Sequence, residues 1–513
     1  MLPFASNLSQ LSLKRFARFL LGTEGNLEKK VIRGGFWLAA SKLVRIGLYF
    51  VRTTLLARLL LPFDFGLLGI SLLTLNTLSA FTNTGFDPAL IKKKDNTEPY
   101  LNTAWTIQFL RGLVLGGIMV AAAVPISSFF SEPKAVLALR LVGLAQIIKG
   151  LNNIGIIYFR KELDFNKQFL YQVISSAVDL ILSAAGAVIF GNVWGLLIGL
   201  LARNVTEVVV SYLLHSYRPS FNWDLSKINE LTKFGRWIFA SSVCYYIGYQ
   251  GDDLLVGRLL GATALGLYQM AFTVANYPIS QFTYVINNIM FPAYSKLQGN
   301  TNKLKKAYIH AANLSSIFTF PITIGAAILS REFVLIFLGA EWVKMIFSLK
   351  LLSIAVLLKS VASTATPVLK GSGHPRYSFN IQLTRAVSTL VLIFPLINFF
   401  GMNGAAWTVL ITNSLLIISW WRQINRLFEF SVKNVVQTFG PPLLAALVMG
   451  ALAWILKTSI PIMAPNSFRQ RSFLLSLAVV PSAVVYFLSL AVFSRWFGRR
   501  NQVMKMLGFK SDV

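Results

Sequence analysis

The run WLAASKLVRIGLYFVRTTLLARLL, residues 37–60, is long and apolar enough to cross a bilayer. It nevertheless carries Lys42, Arg45, Arg52 and, at its far edge, Arg58. A cation in hydrocarbon is expensive and is kept where it meets protein, water or an anion. Arginine offers a planar fork that pairs bidentately with phosphate or carboxylate oxygens, and lysine offers a compact point charge. With a helix advancing 100° per residue, Lys42, Arg45, Tyr49 and Arg52 fall within an arc of roughly 80°, so one face is cationic. Lys42 and Arg52 each lie about 9 Å from one end of the span and can partly snorkel; Arg45 is too deep to do so easily.

Other apolar runs hold Arg111, Arg140, Lys149, Arg203, Lys350, Lys359 and Arg385. Arg140 and Lys350 lie near an edge and read as anchors, and Arg203 stands four residues before Glu207, the spacing of an intrahelical pair. The candidates for a cationic, substrate-binding cavity are therefore Lys42, Arg45, Arg52, Arg111, Lys359 and Arg385. The intramembrane acids are Asp179, Glu207, Asp252 and Asp253. The excess of cations favours an anionic ligand, because a buried charge demands a counter-charge. Asp179, Asp252 and Asp253 are candidates for ion coupling or gating, and Arg52 with Asp252 or Asp253 is a candidate for a switchable ionic contact. A permanent structural ion pair is the equal alternative.

Several chemistries are excluded. One cysteine, Cys244, permits neither an intrachain disulfide nor a CxxC site, and His215, His310 and His374 form no HExxH pair. No GxxxxGK[ST] loop is present, so ATP chemistry would need another chain. No metal or organic cofactor is implied, and the connections are too short for a soluble catalytic domain. The net charge of +29 sits mostly in short segments between apolar runs, which argues for topology signals and lipid headgroups rather than nucleic acid.

The elements that must hold these residues are helices. Of 513 residues, 55% are hydrophobic and only 13% charged, where a soluble chain carries roughly a quarter. The expected fold class is an all-α polytopic membrane protein of about 14 transmembrane helices. The N-terminal segment, alternate connections and the tail hold about 30 Lys and Arg, against about 8 in the other connections, which places both termini in the cytoplasm.

A shift of 200 residues aligns the chain with itself without gaps. Trp37, Ser41, Tyr49, Arg58, Gly66 and Asn76 recur as Trp237, Ser241, Tyr249, Arg258, Gly266 and Asn276, within 12 identities over 42 positions. Six spans separate the repeats, so they run parallel, related by a pseudo-two-fold along the membrane normal. The expected organisation is a basic amphipathic cytoplasmic segment (1–33), a first six-helix bundle (34–216) and a cytoplasmic linker (217–234). A second six-helix bundle (235–426), two extra C-terminal helices (427–496) and a basic cytoplasmic tail (497–513) follow.

The stretches FWLAASKLVRIGLYFVRTTLLARLLLPFDFGLLGI, NTGFDPALIKKKD, IIYFRKELDF, DDLLVGRLLGATALGLYQMAF and FPAYSKLQGN resemble the polysaccharide transporter family. That family includes Wzx-type flippases and the colanic acid and succinoglycan type exporters, within the superfamily of MATE drug exporters and lipid II flippases. The resemblance implies two six-helix bundles around a cationic cavity. It also implies, in the bacterial cytoplasmic membrane, flipping of a polyprenyl-pyrophosphate-linked oligosaccharide for exopolysaccharide, capsule or O-antigen synthesis. Membrane lipid and that lipid-linked sugar are the expected partners, with polysaccharide polymerase and export machinery as further candidates, around a monomer that is not an enzyme. Each negative charge moved outward gains about 2.3 kcal/mol per 100 mV, so membrane potential, an ion antiport or both would drive export. The alternatives are a MATE-like small-molecule exporter, which would favour an acidic cavity, and a membrane-embedded glycosyltransferase or polymerase.

Overall fold

The computed structural model describes residues 27–82, 98–162, 164–460, 462 and 467–497. Most of the expected amphipathic N-terminal segment, the basic loop within 83–97 and the tail from 498 lie outside the described residues. Among the described residues every regular element is helical. The long helices are α1 (Leu27–Leu59), α2 (Pro62–Phe81), α3 (Glu98–Ala121), α4 (Ala135–Gly150), α5 (Phe165–Phe190), α6 (Trp194–Leu214), α7 (Leu225–Lys296), α8 (Thr301–Ile328), α9 (Ile346–Ser363), α10 (Pro375–Phe400), α11 (Met402–Phe428), α12 (Val432–Ser459) and α13 (Phe468–Trp496). Eleven helical stretches among the described residues are long and apolar enough to cross a membrane.

The breaks follow the 200-residue repeat. α1 stops at Leu59 and α2 restarts at Pro62, a residue at home in a first helical turn. Asp64 accepts a hydrogen bond from the Leu61 amide at 3.1 Å, satisfying one of the free donors there. At the equivalent place α7 is interrupted at Gly261, with φ 82° and ψ 179°, a conformation that favours glycine. Glu132 Oε1 accepts from the Ala262 amide at 3.0 Å, and Arg258 donates to Ser131 Oγ at 3.0 Å.

The helices form two compact units. Of the described residues, one comprises those up to Leu60, Thr74–Ser127 and Pro133–Ser242; the other comprises Leu61–Leu73, Ser128–Glu132 and those from Val243. In the first, α1 packs on α5, α5 on α6, and α3 on α4. Small residues allow the α3–α4 approach: a Cβ on Gly112 would lie 2.9 Å from the Gly150 Cα. Where lipid replaces water, such close backbone packing supplies the attraction that hydrophobicity cannot.

The stretch expected as a linker, 217–234, divides in two. Its first part lies along the end of α3: the Ser220 amide donates to Asn102 Oδ1 at 3.0 Å and the Asn222 amide to Thr106 Oγ1 at 3.0 Å. Phe221 meets Trp105 edge-on at 5.2 Å. From Leu225 the chain is already helical.

His215, just beyond α6, stacks on Tyr158 and accepts from the Tyr217 amide through Nδ1 at 3.1 Å. Burial, followed by the nearby Lys167, holds its pKa below the usual histidine value. The folded state therefore prefers neutral imidazole, while the unfolded chain binds the proton more readily. This contribution is intact above the ordinary histidine pKa of about 6.5 and is lost as pH falls through the depressed folded value. Thermal unfolding between pH 7.5 and 5 is expected to fall less steeply in His215→Asn than in the wild type; equal slopes would remove His215 from the account.

In the second unit, α8, α11, α12 and α13 enclose a core of Tyr308, Trp420, Phe428, Phe439 and Tyr486. Trp420 Nε1 donates to the Tyr308 hydroxyl at 2.8 Å, and Tyr486 donates to the Ile317 carbonyl at 2.6 Å. The two C-terminal helices are thus built into this unit, although they fall outside the repeat. The first turns of α2 also belong here. A Cβ on Gly66 would collide with the Ala262 backbone, and one on Gly266 with the Pro62 backbone. Positions 62 and 262, like 66 and 266, are repeat equivalents, so one symmetric crossing explains both glycines. Gly66→Ala and Gly266→Ala are each expected to cost about 1–3 kcal/mol, read as a lowered unfolding temperature. Gly117→Ala, whose Cβ would meet nothing within 4 Å, serves as the neutral control.

Candidate functional site

In the first unit the cationic face of α1 meets a polar stripe on α5. Ser41 Oγ and Arg45 Nη1 both donate to Gln172 Oε1 at 3.0 Å. Arg52 Nε donates to Asp179 Oδ1 at 2.9 Å, with side chains 17% and 9% exposed. Arg45 and Arg52 are seven residues apart, as are Gln172 and Asp179, so two helical turns of one helix meet two of the other in register. Gly199 on α6 leaves room behind this pair, since a Cβ there would lie 2.7 Å from Asp179 Oδ1. Lys42 lies half-buried on the same face of α1.

Arg52, expected to face Asp252 or Asp253, has Asp179 as its ion-pair partner in this structure. Arg52 takes its carboxylate from α5, and Asp252 Oδ2 accepts instead from the Tyr268 hydroxyl at 2.6 Å. Asp253 interacts with Gln269. Arg111 caps a helix end: its Nε donates to Thr82 Oγ1 and its Nη2 to the Ser79 carbonyl, each at 3.2 Å. A cation suits the carbonyls that finish α2. Arg203 and Glu207 pair along α6 at 2.9 Å.

The second unit gathers Lys359 and Arg385 beside Asp252, in the wall of one small cavity formed by α7, α9, α10 and α11. The Tyr249 ring lies under both cations, 4.9 Å from Lys359 Nζ and 4.3 Å from Arg385 Cζ, a cation–π geometry. Lys359 Nζ also donates to Asn276 Oδ1 at 3.1 Å. Of the expected cavity residues, Lys42, Arg45 and Arg52 lie along α1 and Arg111 caps α2 in the first unit, and Lys359 and Arg385 cluster within the second.

Sequence reasoning missed Gln172, Tyr249, Tyr268, Asn276, Thr412 and Asn413. Tyr249 and Asn276 are both identities of the internal repeat, which is the signal that could have found them. Gln172 stands seven residues before Asp179, but only the packing of α1 on α5 gives that spacing meaning.

The family pattern described as "Polysaccharide biosynthesis protein" matches residues 55–347. The chain belongs to this polysaccharide biosynthesis family. Relatives similar to this family member include the lipopolysaccharide biosynthesis protein WzxC of Escherichia coli K12, 25% identical over 84% of this chain and 89% of that protein. The succinoglycan biosynthesis transport protein ExoT of Rhizobium meliloti is 22% identical over 86% of this chain and 90% of its own length. Among solved structures, the lipid II flippase MurJ in an inward closed conformation matches with a TM-score of 0.71. That match covers 91% of this chain and 100% of MurJ at 15% identity, a likeness of fold alone. The fold class expected from sequence, all-helical and polytopic, is the one this family member has.

Proposed function

We propose that this protein is a flippase that moves a polyprenyl-pyrophosphate-linked oligosaccharide across the bacterial cytoplasmic membrane for assembly of a surface polysaccharide. The observation that carries the reading is the Lys42–Arg45–Arg52 face of α1, set within a chain whose relatives are named for polysaccharide biosynthesis and transport. The physical task is to carry a charged, sugar-bearing headgroup through about 30 Å of hydrocarbon while the lipid tail stays in the bilayer. Lys42 and Arg45 receive the pyrophosphate in place of water, and arginine suits this because its fork matches phosphate oxygens. Arg52 is already neutralised by Asp179 and holds α1 on α5, so that Arg45 is presented in a fixed orientation.

On this reading the chain has fourteen spans. Beyond the eleven long apolar stretches, the further three are α1 with its cations, the 16-residue α4, and the part of α7 that precedes Gly248. The stretch from Gly248 to Lys296 is counted once, although its first turns complete the span that begins α7. On this reading the spans form two parallel six-helix bundles plus two helices, both termini are cytoplasmic, and the monomer works by alternating access. Membrane potential, ion antiport or both supply the drive, and a polysaccharide polymerase receives the product.

Loss of the protein in its host tests the proposal. A lipid-linked oligosaccharide is expected to accumulate with its sugar shielded from an externally added impermeant lectin, and surface polysaccharide to disappear. Accumulation of a lipid-linked sugar already exposed on the outer face would place the step after flipping and overturn the reading.

A further inference from the structure

Three polar atoms in the wall of the Lys359–Arg385 cavity have no hydrogen-bond partner among the described residues: Arg385 Nε, Thr412 Oγ1 and Asn413 Oδ1. Burial makes this costly, since Arg385 is only 7% exposed, Thr412 2% and Asn413 1%. An orphaned buried donor costs about 1–3 kcal/mol, and more when it is charged. Two of the three atoms, the guanidinium N–H and the threonine hydroxyl, can donate.

The charge count points the same way. Two cations, Lys359 and Arg385, face one carboxylate, Asp252, which is turned to the Tyr268 hydroxyl. Neither cation forms an ion pair among the described residues. One positive charge is left over in a wall whose remaining residues are apolar or neutral polar, Thr389, Thr412 and Asn413 among them. The cavity measures about 20 Å³, room for a single water-sized guest and too little for a pyrophosphate.

We propose that this cavity is a binding site for one monovalent inorganic anion of the halide class, held by Arg385 Nε, Lys359 Nζ and Thr412 Oγ1. A halide balances the surplus charge, accepts from both orphaned donors and needs no donors of its own. A water molecule would satisfy the geometry but leave the charge uncompensated, and a divalent anion would overshoot it. The site is built from residues of the second unit alone, so its fate does not depend on the flippase reading.

The test uses the full chain in lipid nanodiscs, with sodium chloride or sodium bromide replaced by sodium gluconate at equal ionic strength. Halide is expected to raise the unfolding temperature saturably, and gluconate to leave it unchanged. Thr412→Val, close to isosteric, is expected to weaken the halide dependence about tenfold, the loss of one hydrogen bond to a charged group. Arg385→Gln, checked for folding by circular dichroism, is expected to abolish it. Crystals grown in bromide are expected to show anomalous scattering between Lys359 and Arg385. A second arm adds inorganic pyrophosphate and farnesyl pyrophosphate. If these stabilise the wild type but not Arg385→Gln while halide does nothing, the pocket belongs to a phosphate headgroup and the proposal is overturned. No halide effect, or an effect unchanged in both variants, overturns it equally.

Discussion

Replacing Arg52 by glutamine is expected to lower stability by about 3–5 kcal/mol, the cost of leaving a buried carboxylate without its cation. Asp179 is 9% exposed and pairs with Arg52 at 2.9 Å. It also lies against α6, where a Cβ on Gly199 would come within 2.7 Å of its Oδ1. Asp179→Asn alone strands the arginine and is expected to be milder, because Arg52 is 17% exposed and has a long stem that can reach outward. The double variant Arg52→Gln with Asp179→Asn removes both charges and is expected to recover most of the loss. Denaturant unfolding in detergent measures all three. Additive losses in the double variant would mean that the two residues do not interact, contrary to the register of α1 on α5.

Arg45→Ala carries the second large effect, on transport rather than folding. Arg45 donates to Gln172, a neutral partner, at 3.0 Å. The flipping rate is expected to fall at least about 30-fold, corresponding to about 2 kcal/mol for truncating one charged hydrogen-bonded partner of an anion. Arg45→Lys keeps the charge and loses the fork, and is expected to fall between the two. Gln172→Ala removes only the neutral partner and is expected to change the rate a few-fold. If Arg45→Ala flips normally in protein that unfolds like the wild type, the headgroup is not received on this face.

Part of this arrangement was legible from the sequence because charge in an apolar run is a rare and costly signal. Lys42, Arg45 and Arg52 announced a face, the 200-residue repeat announced a second copy of the first spans, and apolar length announced helices. The repeat matches position 52 with 252, an arginine with an aspartate, and pointed to a contact between them. The partner the structure shows for Arg52 is Asp179 of α5, which no spacing announced, because pairing follows helix packing, and which helix packs on α1 is not written in α1. The cavity around Lys359 was beyond reach for a similar reason. Thr412 and Asn413 look like ordinary polar interruptions of an apolar helix until α7, α9 and α10 are brought around them.

The most direct test of the central claim follows a polyprenyl-pyrophosphate oligosaccharide in proteoliposomes containing the purified protein, with sugar exposure on the far leaflet read by an impermeant lectin under an imposed potential. The account predicts protein-dependent flipping that is faster toward the positive side, by up to about 2.3 kcal/mol of drive per charge per 100 mV, and that is lost in Arg45→Ala. Sugar transfer or chain lengthening without translocation, or flipping equal to that of protein-free liposomes, would contradict it.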